Sequence, residues 1–363
     1  MKRNRKGFWT KVFHYEYWPV WFLFLPLLPY YFWLSIRARS FAFFTASNLN
    51  IESSGFYGES KMDILSQFPE YLLPPTVFVK QEDNWNNIIS SIEKKGIPFP
   101  FVAKPDKGGG GKGVEIIHSF ELLENYHTNV GEDYMVQGFI TDPIEAGIFY
   151  IRMPDEEKGK VTSVVLKDFL SVTGDGKSTV AQLIGKNSRA RIYAKGLHER
   201  LGKEMDEVLS EGKMKVLEQI GNHSRGTRFL NGNHLINDRM HETFDCISKN
   251  LDGFYYGRFD LKAKSIEDFY SGENLSIIEL NGAGSDPAHI FDSSVGYFRA
   301  LRDEAWHWKQ LCKISRINMK RGIKPMKFSE MLRLYWNNNF TAEVKKAHKP
   351  LVRASQEDKI SRD

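Results

Sequence analysis

Apolar and polar positions along the chain change period several times, and each change marks an element. From Tyr17 to Ile36 the sequence reads YWPVWFLFLPLLPYYFWLSI, twenty residues without a charge, about the length that spans a hydrocarbon core. Residues 45–75 break this pattern with Asn48, Asn50, Ser53, Ser54, Gly55, Gly58, Pro69, Pro74 and Pro75, the composition of a connector. Thr76 to Lys80 (TVFVK) predicts a strand, a polar helix-like stretch follows, and Phe99 to Lys104 (FPFVAK) predicts a second strand. Beyond a Gly-rich turn come a short strand at Val114 to Ile117, a helix around Ser119 to Tyr126 and a strand at Tyr134 to Gln137. Alternating strands and helices favour an α/β or α+β class.

After Ile140 the strands lengthen. Ala146 to Met153 and Val161 to Val172 predict a hairpin-connected pair. Residues 179–222 are rich in helix formers and charges, a helix is expected near Asp238 to Leu251, and Tyr256 to Lys264 returns to strand. From Ser294 the chain reads as helical and basic, with Trp306, Trp308 and Trp336 among Lys and Arg.

With 363 residues, 41% hydrophobic and 26% charged, the chain is long enough to bury a substantial core and is not of disordered composition. Cys246 and Cys312 fit no metal-binding spacing and no disulfide framework, which points to a reducing compartment. The net charge of +5 is modest but uneven: Lys2, Arg3, Arg5, Lys6 and Lys11 crowd the start, and more cations lie between Lys309 and Lys349. No helix-turn-helix, zinc-finger or RNA-recognition signature accompanies them, so nucleic acid is not an expected partner and anionic membrane lipid is.

The 17–36 segment supports that reading. It is crowded with Trp, Tyr and Phe and followed by Arg37 and Arg39, unlike a cleaved signal peptide, and such aromatics favour the headgroup zone. Pro19, Pro26 and Pro29 would interrupt a straight helix. A bent, monotopic insertion at the cytoplasmic face is the leading expectation, with a single span and a buried aromatic core segment as the alternatives.

Two constellations carry chemistry. The first, Lys104-Pro-Asp-Lys107-Gly108-Gly109-Gly110-Gly111-Lys112-Gly113, places a lysine at a strand end and follows it with a glycine loop bounded by further lysines. Such a loop turns backbone N–H groups toward phosphate oxygens. It is not a Walker A loop, and a flexible hairpin is the plain alternative. In the second, Gly257 to Leu261 and Ile277 to Gly282 read as hairpin partners. Side chains alternate along a strand, so Arg258 and Asp260 share one face, as do Glu279 and Asn281. Two carboxylates and an amide oxygen suit Mg²⁺ (or Mn²⁺) with nucleotide phosphates, and Arg258 suits charge on a phosphoryl group in flight. A surface salt bridge between Arg258 and one acid is the alternative.

The order of Lys104, the glycine loop, Tyr134-Met-Val-Gln137-Gly138-Phe139-Ile140, Arg258/Asp260 and Glu279/Asn281 resembles the ATP-grasp ligases, including D-alanine:D-alanine ligase and the ATP-grasp part of cyanophycin synthetase. The resemblance covers roughly residues 75–295. It implies an α+β fold of two subdomains holding ATP between them. Lys104 would contact nucleotide phosphates, the 107–113 loop would close over them, Gln137 to Ile140 would form the hinge that meets adenine, and Glu145 would fall at the ribose. Asp260, Glu279 and Asn281 match the family's magnesium ligands, and Arg258 its phosphoryl-contacting arginine. Gln137 stands where many relatives have Glu. Asp168 to Val180 resembles the VxGDGxST segment of the cyanophycin-type branch, although Gly-Asp-Gly also suits an ordinary tight turn, and Lys167 before it would supply another phosphate contact.

The implied activity is ADP-forming ligation of a carboxylate to an amine through an acyl phosphate, which needs positioning and charge neutralisation and no covalent nucleophile. Arg225 and Arg228, in the basic loop 221–229 with His223, suit an anionic substrate group or the acyl phosphate, with a solvated loop as the alternative. The loop from Gly282 to His289 stands where relatives hold the second substrate. The expected organisation is a membrane-associated segment 1–45, a connector 46–75, the ATP-grasp region 76–295 (divided at 140/141) and a basic helical extension 296–363. The N-terminal α/β domain of D-alanine:D-alanine ligase has no counterpart here, which makes a dipeptide product doubtful and a lipid-linked or envelope substrate the leading expectation. A kinase phosphorylating a hydroxyl and a non-catalytic nucleotide-binding membrane protein are the rival readings.

Overall fold

A computed structural model of the chain describes residues 14–336. The cluster Lys2 to Lys11 and the cations beyond residue 336 lie outside the described residues.

Four strands form the first sheet: β1 (Thr76–Val79), β2 (Phe101–Pro105), β3 (Glu115–Ile117) and β4 (Tyr134–Gly138), in the order β1-β4-β2-β3, all antiparallel. The helices Trp85–Lys94 and Phe120–Val130 pack on it. Each starts where a side chain satisfies an early backbone N–H: Asn84 accepts from Asn86 at 3.0 Å and Ser119 from Leu122 at 3.3 Å. Ile88, Ile92, Leu123 and Tyr126 are their buried residues and close the core over Phe101 and Val136.

The remaining strands are β5 (Ile144–Ile151), β6 (Lys160–Asp168), β7 (Ser171–Thr173), β8 (Met214–Val216), β9 (Arg228–Asn231), β10 (Tyr256–Ala263) and β11 (Leu275–Asn281). Five of them make an antiparallel sheet in the order β11-β10-β5-β6-β9, and β7 pairs with β8 alone. The Asp238–Ser248 helix covers one face through Met240 and Phe244. The α+β class expected from the sequence is the observed one. The long strand expected over Val161 to Val172 is divided, because β6 ends at Asp168 and β7 turns away to meet β8. The basic loop expected at 221–229 runs into β9, so Arg228 opens an edge strand opposite Asp168.

The N-terminal aromatic segment is broken where its prolines stand. Pro19 caps Val20–Leu23, Pro26 enters the 3-10 turn Leu25–Leu27, and Pro29 sits in the first turn of the helix Leu28–Ala38, which ends at left-handed Arg39 (φ 55°). Proline is tolerated in a first turn, where its missing N–H has no helical partner. No helix among the described residues is long and apolar enough to cross a membrane. Leu23, Leu27 and Leu34 are buried, each contributing roughly 1.5–3 kcal/mol, and they fix the segment to the long helix Tyr297–Lys320. Its other face is open: Trp21 is 72% and Ile36 73% exposed.

Candidate active site

The site lies where β2 of the first sheet meets the β10–β11 ladder of the second. In that ladder Arg258 faces Asn281 and Asp260 faces Glu279, so all four side chains emerge on one face, as the strand periodicity requires. Arg258 grips Asp260 with both prongs of its fork, Nε to Oδ1 at 2.8 Å and Nη2 to Oδ2 at 3.1 Å. Asn281 Nδ2 donates to Asp260 Oδ2 at 3.2 Å, and Lys167 Nζ stands 3.8 Å from the same oxygen. Burial pushes the Asp260 carboxyl up, but Arg258 and Lys167 outweigh it and hold it below the usual range. Asp260 is therefore ionised at neutral pH. Asp260 in turn keeps Arg258 protonated, and with Glu145 keeps Lys167 protonated, against their own burial.

Lys104 reaches across from the first sheet. Its Nζ donates to Gln137 Oε1 at 2.9 Å and to the carbonyl of Ile278 in β11 at 3.0 Å. Burial pulls its pKa down to about 8, against the attraction of Glu279 and Asp260. Gln137 passes the contact on to Thr76 Oγ1 at 3.3 Å. Its side chain thus belongs to the Lys104 network, and its place in the 137–140 segment, where adenine was expected, is held from behind.

Glu145, expected at the ribose, is paired with Lys167 at 2.9 Å and lies 3.7 Å from Lys262. Lys262 also donates to the Ile140 carbonyl at 2.8 Å and sits over the rings of Phe139 and Phe169, at 5.3 and 5.5 Å. Lys262 and Lys61 were not anticipated. Lys61, from the connector, donates to the carbonyls of Asp106 and Gly108 and lies 3.9 Å from Glu279 Oε1. Five cations (Lys61, Lys104, Lys167, Arg258, Lys262) thus converge on Glu145, Asp260 and Glu279, with Asp106 and Asp286 also acting on Lys104 and Arg258, and their ammonium and guanidinium groups suit a polyphosphate.

The glycine loop lies above this cluster. Gly108, Gly110, Gly111 and Gly113 have φ of 100°, 69°, 69° and 69°, a region that side chains with a Cβ avoid. Lys107 and Lys112 are exposed, the former 3.6 Å from Glu52 of the connector. Arg225 does not reach the Arg258 cluster. It donates to the carbonyls of Gly111 at 2.9 Å and Val114 at 3.2 Å, while Glu218 stands 3.7 Å from its other prong. These bonds tie it to the glycine loop.

Arg228 and His223 depart from expectation as well. His223 Nε2 lies 3.9 Å from Glu16 of the aromatic segment, its ring against Phe229 and Phe291, and the exposed Arg228 acts electrostatically on Tyr17 and Asp292. Glu16 also takes a 2.7 Å bond from Arg189. This corner clasps the N-terminal segment. The Asp168 to Val180 stretch is a turn and cap: Asp175 accepts from Ser178 N at 2.6 Å and Lys186 Nζ at 2.8 Å, and Thr179 and Gln182 form a capping box.

After Asn281 the chain passes directly beneath the connector. A Cβ on Gly282 would stand 2.2 Å from the Ser54 carbonyl, so only glycine fits, and Ala283 N bonds that carbonyl at 2.8 Å. Ser285 Oγ closes the turn on Gly282 O at 2.6 Å, and Arg258 Nη1 donates to the Asp286 carbonyl at 3.1 Å. His289 at the end of this loop is buried on Ser163 at 2.7 Å and serves packing.

Among the described residues no group of three or more His, Cys, Asp or Glu could hold a metal ion. Asp260, ionised, with Glu279 opposite it and Asn281 beside it is a partial set of hard oxygen donors. That set fits a cation such as Mg²⁺ that takes its other ligands from phosphates and water.

No family model and no curated protein matches the chain. Solved structures that it is similar to include D-alanine–D-alanine ligase from Bacillus anthracis (14% identity, TM-score 0.41, 72% of this chain and 69% of that one). A bifunctional glutathione synthetase from Pasteurella multocida (15%, TM-score 0.34, 66% and 35%) and the ATP-grasp ligase PsnB (11%, TM-score 0.33, 62% and 52%) are others. The chain spans about a third of the glutathione synthetase and about half of PsnB. Of these, PsnB carries the name of an ATP-grasp ligase.

Proposed function

We propose that this chain is an ATP- and Mg²⁺-dependent ligase that activates a carboxylate as its acyl phosphate and joins it to an amine. The observation that carries the reading is the junction itself: Lys104 of one sheet bonded to β11 of the other, beside the Arg258/Asp260/Glu279/Asn281 quartet and beneath the glycine loop. Lys104, Lys167 and Arg258 would neutralise the triphosphate, acting from a low-dielectric cleft where fixed charges count for more than in water. Asp260, Glu279 and Asn281 would hold the magnesium ion, which neutralises phosphate charge as the γ-phosphoryl group moves. Phe139 and Phe169 offer apolar faces for a purine near the 137–140 segment. No covalent nucleophile from the protein is needed, because the substrate carboxylate itself would attack the γ-phosphorus.

The chemistry would take place at the cytoplasmic face of a membrane, on a lipid-linked or envelope substrate. Trp21, Phe22, Phe32, Trp33, Ile36 and Phe41 form the exposed face of the N-terminal segment, and Phe41 leads on to exposed Phe328 at 5.7 Å. Arg37 and Arg39 border this face, and Lys309, Lys313, Arg316 and Lys320 line the adjoining helix Tyr297–Lys320. Apolar aromatics rimmed by cations are complementary to an anionic lipid surface.

The test is an acyl-phosphate trap. Purified full-length protein, ATP, Mg²⁺ and a small-molecule and lipid extract are incubated with hydroxylamine, and new hydroxamates are sought by mass spectrometry. An ATP-dependent hydroxamate identifies the carboxylate. A phosphorylated alcohol in its place would mean a kinase, and no ATP-dependent product would favour a nucleotide-binding protein without catalysis.

A further inference from the structure

A groove runs between the turn joining β5 to β6 and the helix Tyr297–Lys320. One part of it, about 240 Å³, is walled by Ile151, Met153 and Trp306, and the adjoining part, about 360 Å³, continues along Ile317. Gln310 lines the first part and is only 7% exposed, yet among the described residues nothing hydrogen-bonds its side-chain amide. A buried amide without a partner is costly, and this one offers two N–H donors to an oxygen-rich ligand in the groove. Lys158 and Lys160 of the turn and Lys313 of the helix bring three ammonium groups to the same place. Lys160 Nζ stands 6.0 Å from the ring of Trp306, which is 38% exposed. Arg316 and Lys320 line the adjoining part. Five cations thus meet two acids, Glu156 and Asp155, and Asp155 is already paired with Arg321. The groove is built to receive an anion.

The same helix seats the N-terminal aromatic segment. Cys312 Sγ donates to the Leu34 carbonyl at 3.7 Å, and the next residue, Lys313, lines the groove. Arg316 lines it one turn further on, and both Arg316 and Arg37 of the aromatic segment act electrostatically on Cys312. The cations of the groove are therefore continuous with the basic border of the exposed aromatic face.

We propose that this groove binds the terminal phosphate of a membrane lipid, a phosphomonoester headgroup whose acyl chains stay in the bilayer. The proposal rests on the membrane reading and deepens it from general attraction to anionic lipid into recognition of one headgroup chemistry. A phosphomonoester carries close to two negative charges at neutral pH and three acceptor oxygens, enough for several ammonium groups and the Gln310 amide together. A phosphodiester headgroup offers one charge and two free oxygens. Trp306 and Ile317 supply apolar surface for the glycerol and the first methylenes, in keeping with the preference of Trp for the headgroup zone.

The test is flotation of the full-length protein with two sets of zwitterionic vesicles, one carrying phosphatidic acid and the other phosphatidylglycerol, matched in surface charge. Half-maximal binding should need about tenfold less of the phosphatidic acid vesicles. Lys160→Met with Lys313→Met should bring the two sets within about twofold of each other, and so should Gln310→Leu, which changes no charge. Arg302→Met with Lys309→Met takes the same number of charges from exposed positions of the same helix outside the groove, and should weaken both sets while keeping the preference. The assignment is overturned if the intact protein shows no preference at matched charge, or if the Arg302/Lys309 control loses the preference as fully as the groove variants. Saturation by glycerol 3-phosphate at micromolar concentration without vesicles would move the site to a soluble phosphate ester and overturn the lipid source. Failure of the intact protein to float with either set would instead remove the membrane reading beneath it.

Discussion

Lys104 Nζ donates to the carbonyl of Ile278 at 3.0 Å, a bond between residues 174 positions apart that joins the two sheets at the point where phosphate is expected. The lysine that would meet the nucleotide is thus also a strut between the two halves of the cleft.

Its protonation sets a pH dependence. Burial pulls Lys104 down to about 8, so it is charged at pH 7 and neutral above that value. ATP affinity should be full near pH 7 and fall as pH rises through about 8, and binding in that window should take up protons. Because the folded chain holds this proton less tightly than the unfolded one, its contribution to stability rises with pH between about 8 and the ordinary lysine value. Titration calorimetry in buffers of different ionisation enthalpy reads the uptake. Lys104→Met should abolish it and weaken ATP about 10- to 100-fold, the worth of a hydrogen bond to a charged group.

Asp260 carries a different expectation. Its carboxyl is held low by Arg258 and Lys167 against burial, so the stability it contributes is present above the ordinary aspartate pKa and is lost as pH falls through its depressed value. Asp260→Asn leaves Arg258 without its side-chain anion, while Lys167 keeps Glu145, and should cost about 3–5 kcal/mol in urea unfolding. A nucleotide restores negative charge, so ATP should raise the Tm of this variant more than that of the parent if it still binds.

Arg225 should act through the glycine loop. Removing its bonds to Gly111 and Val114 in Arg225→Ala should speed tryptic cleavage at exposed Lys107 and Lys112 and weaken ATP about 3- to 10-fold, in keeping with one or two ordinary hydrogen bonds. Arg225→Lys should rescue only in part, because an ammonium lacks the planar fork. Equal cleavage rates in parent and variant would contradict the tether.

For the N-terminal segment, Trp21→Glu with Ile36→Glu changes two side chains that are 72% and 73% exposed. Flotation with vesicles containing an anionic phospholipid should be lost, while ATP binding stays intact. Binding by the parent should weaken with salt and be poor on zwitterionic vesicles. Salt-independent binding to both vesicle types would argue against the basic rim.

The quartet was legible because it obeys a local rule. A period of two puts Arg258 with Asp260 and Glu279 with Asn281, and the hairpin sets them face to face. Lys61 left no such trace, since a connector lysine is placed by chain folding over 45 residues to Asp106, and no periodicity encodes that distance. The partners of His223, Arg225 and Arg228 were not legible for the same reason: cations in a glycine-punctuated loop suggest an acceptor, but whether it is Glu16, a loop carbonyl or a substrate depends on which distant segment arrives. Breaks at Pro19, Pro26 and Pro29 were readable from backbone chemistry alone. The partition of the aromatics between the Tyr297–Lys320 helix and open surface needed the tertiary structure.

The most direct test of the ligase account compares lipid and aqueous extracts from cells carrying the intact protein with those carrying Glu279→Gln. This change removes the charge of a proposed metal ligand at a side chain 30% exposed and spares the Arg258–Asp260 pair. The account predicts loss of one species whose mass equals an acid plus an amine less water. Loss of a phosphorylated alcohol with every amide retained would contradict it.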